Sequence, residues 1–145
     1  MKYQHPDLAF SLYLPPEAQV VSELPPIFAV HSAEATERVP TVVVTCEAVP
    51  EEADPSVWVD EVLGRQNEVA STSILLDRQP VDQPGGPHGE WTLTSIVREG
   101  KALTFEQWWH PRPGQGWTVT ASSATADYDA AVDALRLLAE SFDTP

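Results

Sequence analysis

Hydrophobic and polar residues alternate with a period of two over several short stretches of the chain and with a period near 3.6 over two longer ones. Leu8, Phe10, Leu12 and Leu14 alternate with Ala9, Ser11 and Tyr13, which predicts a half-buried strand ended by Pro15-Pro16. Ile27 to Val30 predicts a short second strand after Pro25-Pro26. Thr41 to Val49 is β-branched at both parities, as expected of a central strand covered on each face. Ile74 to Leu76 opens a fourth strand that should stop by Pro80, and Pro84-Gly85-Gly86-Pro87 is a loop signal. Three further strands follow as a meander. Trp91, Leu93 and Val97 mark the first; Leu103, Phe105, Gln107 and Trp109 mark the second, after the turn Glu99-Gly100-Lys101; and Trp117, Val119 and Ala121 mark the third.

The helical period predicts one helix from about Pro55 to Ser71, with Asp54 as its N-cap and Pro55 at its first position. Its apolar stripe is Val59, Val62, Leu63, Val69 and Ala70, with Gln66 inside it. A second helix starts near Asp127 and aligns Tyr128, Val132, Leu135, Leu138, Ala139 and Phe142. The predicted order is three strands, a helix, four strands and a terminal helix. Strands and helices do not alternate, so the chain is not a doubly wound βαβ protein. An α+β fold follows, with a mainly antiparallel sheet and helices packed on it, as a single domain over residues 1–145.

Composition adds exclusions. Hydrophobic residues make up 42% and charged residues 21% of the chain, a globular balance. The net charge of −14 is concentrated in residues 47–68, with seven acids and one base, and 127–145, with five acids and one base. Residues 69–126 are nearly neutral, with five acids and four bases. Both acidic stretches fall on the predicted helices, whose outer faces then act as a solvated jacket. A polyanion lacks the basic footprint of a nucleic-acid binder and is repelled by anionic membrane surfaces. The single cysteine, Cys46, forms no internal disulfide, which suits a reducing, cytoplasmic location. The N-terminal residues carry no signal-peptide pattern.

Chemistry is sparse. His5, His31, His88 and His110 lie apart, without zinc spacing, and neither a GxSxG elbow nor a P-loop is present. Neither metal nor cofactor is expected, and the enzyme class is disfavoured. Cys46 on an apolar strand is expected to be an inert thiol. Trp108 breaks parity with the core row, so it must be exposed, lie under a helix or line a groove. With His110 and Arg112 it could form an aromatic and cationic rim. Val43, within the doubly apolar run Val42 to Val44, is the candidate for an apolar binding face.

Tyr3-x-His5-Pro6, Phe10-Ser11-Leu12-x-Leu14-Pro15, Gly116-Trp117-Thr118-Val119-Thr120-Ala121-Ser122 and the closing Ser141-Phe142 give the chain, over nearly its whole length, a pattern that resembles the PsbP-like superfamily, including its DcrB-like and LpqN-type bacterial members. The resemblance implies an α/β/α sandwich, a central sheet of about six to seven strands flanked by two main helices. It also implies a mostly non-enzymatic role as an adaptor or, as in one DcrB-like branch, as a cytosolic chaperone that shelters hydrophobic segments of secreted effectors. No lipobox cysteine stands at the start, so the lipoprotein role of LpqN-type members does not carry over. The expected function is a cytosolic binding or adaptor protein for a protein or peptide partner, such as a secreted effector. The alternatives are a small enzyme or small-ligand binder at Trp108, His110 and Arg112, and a homo-oligomeric structural domain, such as a homodimer, pairing through a sheet edge.

Overall fold

In the computed structural model, residues 1–6, 8–14, 16, 18–22, 27–31, 40–52, 54–69, 72–82 and 89–144 are described. The elements run β1 (Lys2–Gln4), β2 (Ser11–Tyr13), β3 (Gln19–Ser22), β4 (Ile27–His31), β5 (Thr41–Ala48), α1 (Pro55–Val69), β6 (Ile74–Val81), β7 (Gly89–Arg98), β8 (Lys101–Arg112), β9 (Gln115–Ala124), a 3-10 turn (Thr125–Asp127) and α2 (Tyr128–Glu140). Seven strands form one sheet in the order β3-β4-β5-β9-β8-β7-β6. Every neighbouring pair is antiparallel, so the fold is α+β, as the strand and helix order predicts.

The meander β6 to β9 is set by its turns. Glu99 and Gly100 both have positive φ, 53° and 74°, the backbone hand that matches the twist of a two-residue hairpin. It brings β9 back beside β5, with Val44 opposite Val119 and Cys46 opposite Trp117. The chain between β5 and β6 must therefore cross from the centre of the sheet to its far edge, and α1 makes that crossing over one face. Asp54 caps it: its Oδ1 accepts the Ser56 amide at 2.8 Å.

The other face carries α2 and the principal core. Val42, Val44, Trp108, Trp117, Val119 and Ala121 meet Leu135, Leu138, Ala139 and Phe142 from α2 and its end, together with Phe10, Leu12 and Leu14. Under α1 the core is smaller and aromatic, built on Trp58, Val59 and Trp109. The Trp109 indole also donates to Thr92 Oγ1 at 2.9 Å, which satisfies its one donor within the core.

Three expectations need correction. The strand predicted over Leu8 to Leu14 keeps its parity, but only Ser11–Tyr13 is strand. It pairs with β1 in a separate two-stranded ribbon rather than in the main sheet. That ribbon is fastened to the end of α2 by paired backbone bonds between Ser11 and Asp143, at 2.8 and 3.0 Å. Second, β6 runs through Pro80 to Val81, because an edge strand needs no amide hydrogen on its outer side. Third, Trp58, outside the predicted stripe of α1, is buried, whereas Val69, inside it, is exposed. The predicted loop Pro84 to Pro87, Ala70 and Ser71 at the helix end, and His88 lie outside the described residues.

Candidate functional site

The four candidate binding residues divide between the two faces of the sheet. Trp108, His110 and Arg112 alternate along β8 on the α2 face and line one cavity of about 680 Å³, together with Trp91, Arg136 and Phe142. Val43 lies on the opposite face, in a groove of about 570 Å³ beneath α1.

Trp108 is buried, at 6% exposure, in the core under α2, with an edge on the cavity. It cannot also serve a groove on the α1 face. The His110 ring lies tilted against the Phe142 ring, with centroids 4.7 Å apart. Two nearby carboxylates, Glu106 and Glu90, are engaged by arginines. Glu106, 2% exposed, accepts the Arg136 guanidinium at 2.6 to 3.0 Å and the Tyr128 hydroxyl. Burial and this bond to Glu106 push the Tyr128 hydroxyl up to about 12. Glu90 is bound by Arg78 at 2.6 and 3.1 Å. Arg112 donates to Thr144 Oγ1 and to the Pro111 carbonyl, which ties the end of β8 to the C-terminal segment.

Burial first, and then the Arg112 guanidinium, push the His110 imidazole down to about 4. In the unfolded chain a histidine takes its proton near pH 6.5, so between pH 6.5 and 4 the unfolded state binds more protons than the folded one. Stability therefore falls as pH drops through that window. His110→Gln should lose about 2 kcal/mol less than the parent between pH 7.5 and 4.5, read from urea midpoints. Equal losses would show that the imidazole is not held neutral.

Helix α1 packs most closely on the sheet at its first turns, and the groove lies beyond them, although further along Arg65 still reaches Glu47 of β5 and Thr72 donates to the Val97 carbonyl. Trp58 and Val59 pack on Trp109, and the Trp58 indole donates to Glu47 Oε1 at 2.9 Å. Arg78 joins the first turns of α1 to the sheet, reaching Asp60, the Ser56 carbonyl and Glu90. Beyond this anchorage, Val62, Gln66 and Val69 stand over Val43, Ile96 and Phe105 without filling the space between. The expectation that β5 is covered on both faces is met on the α2 face, at Val42 and Val44, and only partly on the α1 face, where Val43 is half-buried. Cys46, facing α2, is likewise half-buried, and burial and Glu47 raise its thiol.

Sequence reasoning missed Ile96, Phe105, Gln107 and Arg98 as parts of a groove. The available signal was polarity in the wrong place: Gln66 inside the stripe of α1 and Gln107 in the row of Leu103, Phe105 and Trp109. Among the described residues, no group of three or more His, Cys, Asp or Glu side chains could hold a metal ion, and no helix is long and apolar enough to cross a membrane.

No protein-family model matches the sequence, and a search of curated proteins finds no match either. Solved structures do match. LpqN from Mycobacterium tuberculosis, described as involved in cell envelope biogenesis, superposes with a TM-score of 0.75 at 17% identity over 100% of this chain and 90% of its own. Cyanobacterial PsbP (CyanoP) from Synechocystis gives a TM-score of 0.74 at 12% identity over 100% of this chain and 92% of its own. A Pseudomonas aeruginosa protein of unknown function, PA94, gives 0.66 at 18% identity over 94% of this chain and 90% of its own. At these identities the likeness is one of fold, and on that ground the chain has the PsbP-like fold of CyanoP and LpqN.

Proposed function

We propose that the protein is a non-catalytic binding or adaptor protein that holds an apolar or amphipathic polypeptide segment in the groove between α1 and the sheet. The observation that carries this is the groove itself, open and lined by Val43, Val62, Val69, Ile96 and Phe105. Val69, which lines the groove, is an apolar side chain left 84% exposed. Exposed apolar surface framed by polar residues is characteristic of a site that is covered on binding. Of the acids of 47–68, only Glu47 lines the groove, where the Arg65 guanidinium neutralises it; Glu61 and Glu68 are exposed on α1. A cytosolic setting and a secreted effector as client belong to the same proposal; the lone half-buried thiol of Cys46 fits a reducing compartment.

A fluorescein-labelled helical peptide rich in Leu and Ala tests the proposal by anisotropy. Val43→Glu should weaken its binding at least about tenfold, because a carboxylate placed among apolar side chains must be desolvated when the peptide docks. His110→Gln, on the opposite face, should leave binding unchanged. If Val43→Glu, with its circular dichroism intact, binds as the parent does, the groove is not the site.

A second reading, a small-ligand binder or small enzyme, is favoured by the cavity that gathers Trp91, Trp108, His110 and Arg112 at one end of α2. It requires a flat or anionic ligand that changes the emission of Trp91 and Trp108, and that response should vanish in Arg112→Ala.

A further inference from the structure

The groove has polar features that a purely apolar chain would not need. Arg65 and Glu47 cancel: the Arg65 guanidinium reaches both Glu47 oxygens, at 3.1 and 3.0 Å. Arg98 does not cancel. It lines the groove, is exposed, and among the described residues its side chain makes no ion pair or hydrogen bond. Its cross-strand neighbour is Lys101, so two positive charges sit directly opposite one another at the hairpin that closes this end of the sheet.

The floor adds a third feature. Gln107 is only 3% exposed; its Nε2 donates to Thr120 Oγ1 at 3.1 Å, and its Oε1 has no partner among the described residues. A buried acceptor left unpaired is costly until a donor reaches it. A hydrocarbon tail has no donor to give, whereas a polypeptide offers free amide hydrogens in the first turn of a helix and along any extended stretch. The acceptor therefore selects a polypeptide over a lipid chain, and Arg98 selects its charge.

Resting on the groove as the binding site, we infer that the segment held there bears a carboxylate, from Asp, Glu or a free C-terminus, at the end that meets Arg98. The whole chain at −14 repels such a group at long range, but ionic screening confines that repulsion to about 8 Å at physiological salt, leaving the local cation to decide.

The experiment uses the full chain and three labelled peptides that share one Leu/Ala-rich helical core and carry Glu, Gln or Lys at one terminal position, with both ends blocked. At physiological salt the Glu peptide should bind about fivefold more tightly than the Gln peptide, and the Lys peptide most weakly. In 0.5 M salt the preference should shrink below about twofold. Arg98→Glu should reverse the order, an outcome that mere loss of folding cannot produce. Equal binding of all three peptides, or an order unchanged by Arg98→Glu, overturns the carboxylate assignment and leaves the groove in place. Binding of none of them overturns the groove proposal and this inference with it. Binding of a fluorescent fatty acid but of no peptide overturns the polypeptide assignment.

Discussion

Replacing Arg136 with alanine should destabilise the fold by about 3 kcal/mol, a fall of roughly 10 °C in Tm for a domain of this size. Glu106 sits on the α2 face of the sheet at 2% exposure, and among the described residues its carboxylate is held by Arg136 and Tyr128. Without Arg136 a buried negative charge remains, with one hydroxyl to stabilise it. Arg136 is itself 43% exposed, which places the expected cost at the lower end of the range for broken buried pairs. The double replacement Glu106→Leu with Arg136→Leu separates charge from packing. It should recover most of the loss, because it removes both desolvation costs and leaves apolar volume against Trp108 and Leu135. Urea unfolding of the three variants checks this. A double variant no better than Arg136→Ala would mean that the pair holds α2 by geometry rather than by neutralising Glu106.

Gly116→Ala should cost about 3 kcal/mol, far more than one added methyl group usually does. Gly116 lies on β9 opposite Glu47 and Pro111, directly under the Trp58 indole. A Cβ there would overlap Cζ2 and Cε2 of Trp58 and lie 2.8 Å from Cη2. The ring cannot yield cheaply, since it is packed edge to face on Trp109 at 5.6 Å and its indole nitrogen is bonded to Glu47. The methyl would therefore lift the anchored end of α1. A double-mutant cycle with Trp58→Val tests this: the two changes together should cost less than their sum by more than about 1 kcal/mol. Peptide affinity should fall in Gly116→Ala alone, because the groove depends on where α1 stands. Additive costs would place the strain elsewhere in β9.

How much of the fold was legible in the sequence depends on the range over which each feature is encoded. The meander was legible because each strand alternates within itself and each turn carries its own chemistry, as Glu99-Gly100 does with its positive φ values. The second helix was legible for the same reason, and Leu135, Leu138, Ala139 and Phe142 are all buried as its period requires. Illegible were β1 and β3, which at three and four residues are too short to show an alternation. The interruption at Pro80 misled because proline's effect depends on whether the strand is at an edge, which local sequence does not state.

The candidate site was legible by half. Trp108, His110 and Arg112 were brought together because i, i+2 and i+4 of one strand share a face whatever the tertiary fold. Val43 could not be joined to Ile96, Phe105, Gln107 and Arg98 from sequence, since the four lie on β7 and β8, separated from β5 in the sheet by β9. The segment-by-segment charge count was informative in another way. It pointed to residues 69–126 as the surface not covered by acidity, and Ile96, Arg98, Phe105, Gln107, Thr120 and Ser122 of the groove all come from that stretch.

By itself, then, the sequence determined the elements, their period, the α+β class and the acidic outer faces of the helices, because each depends on neighbours within a turn or a strand. Only the tertiary structure decided that Trp108 and Val43 serve opposite faces, that Glu106 is claimed by Arg136, and that α1 buries its first turns on the sheet and leaves a groove beyond them. Those outcomes depend on which strands become neighbours and on where Trp58 finds a place to sit, and that place exists only because Gly116 has no side chain.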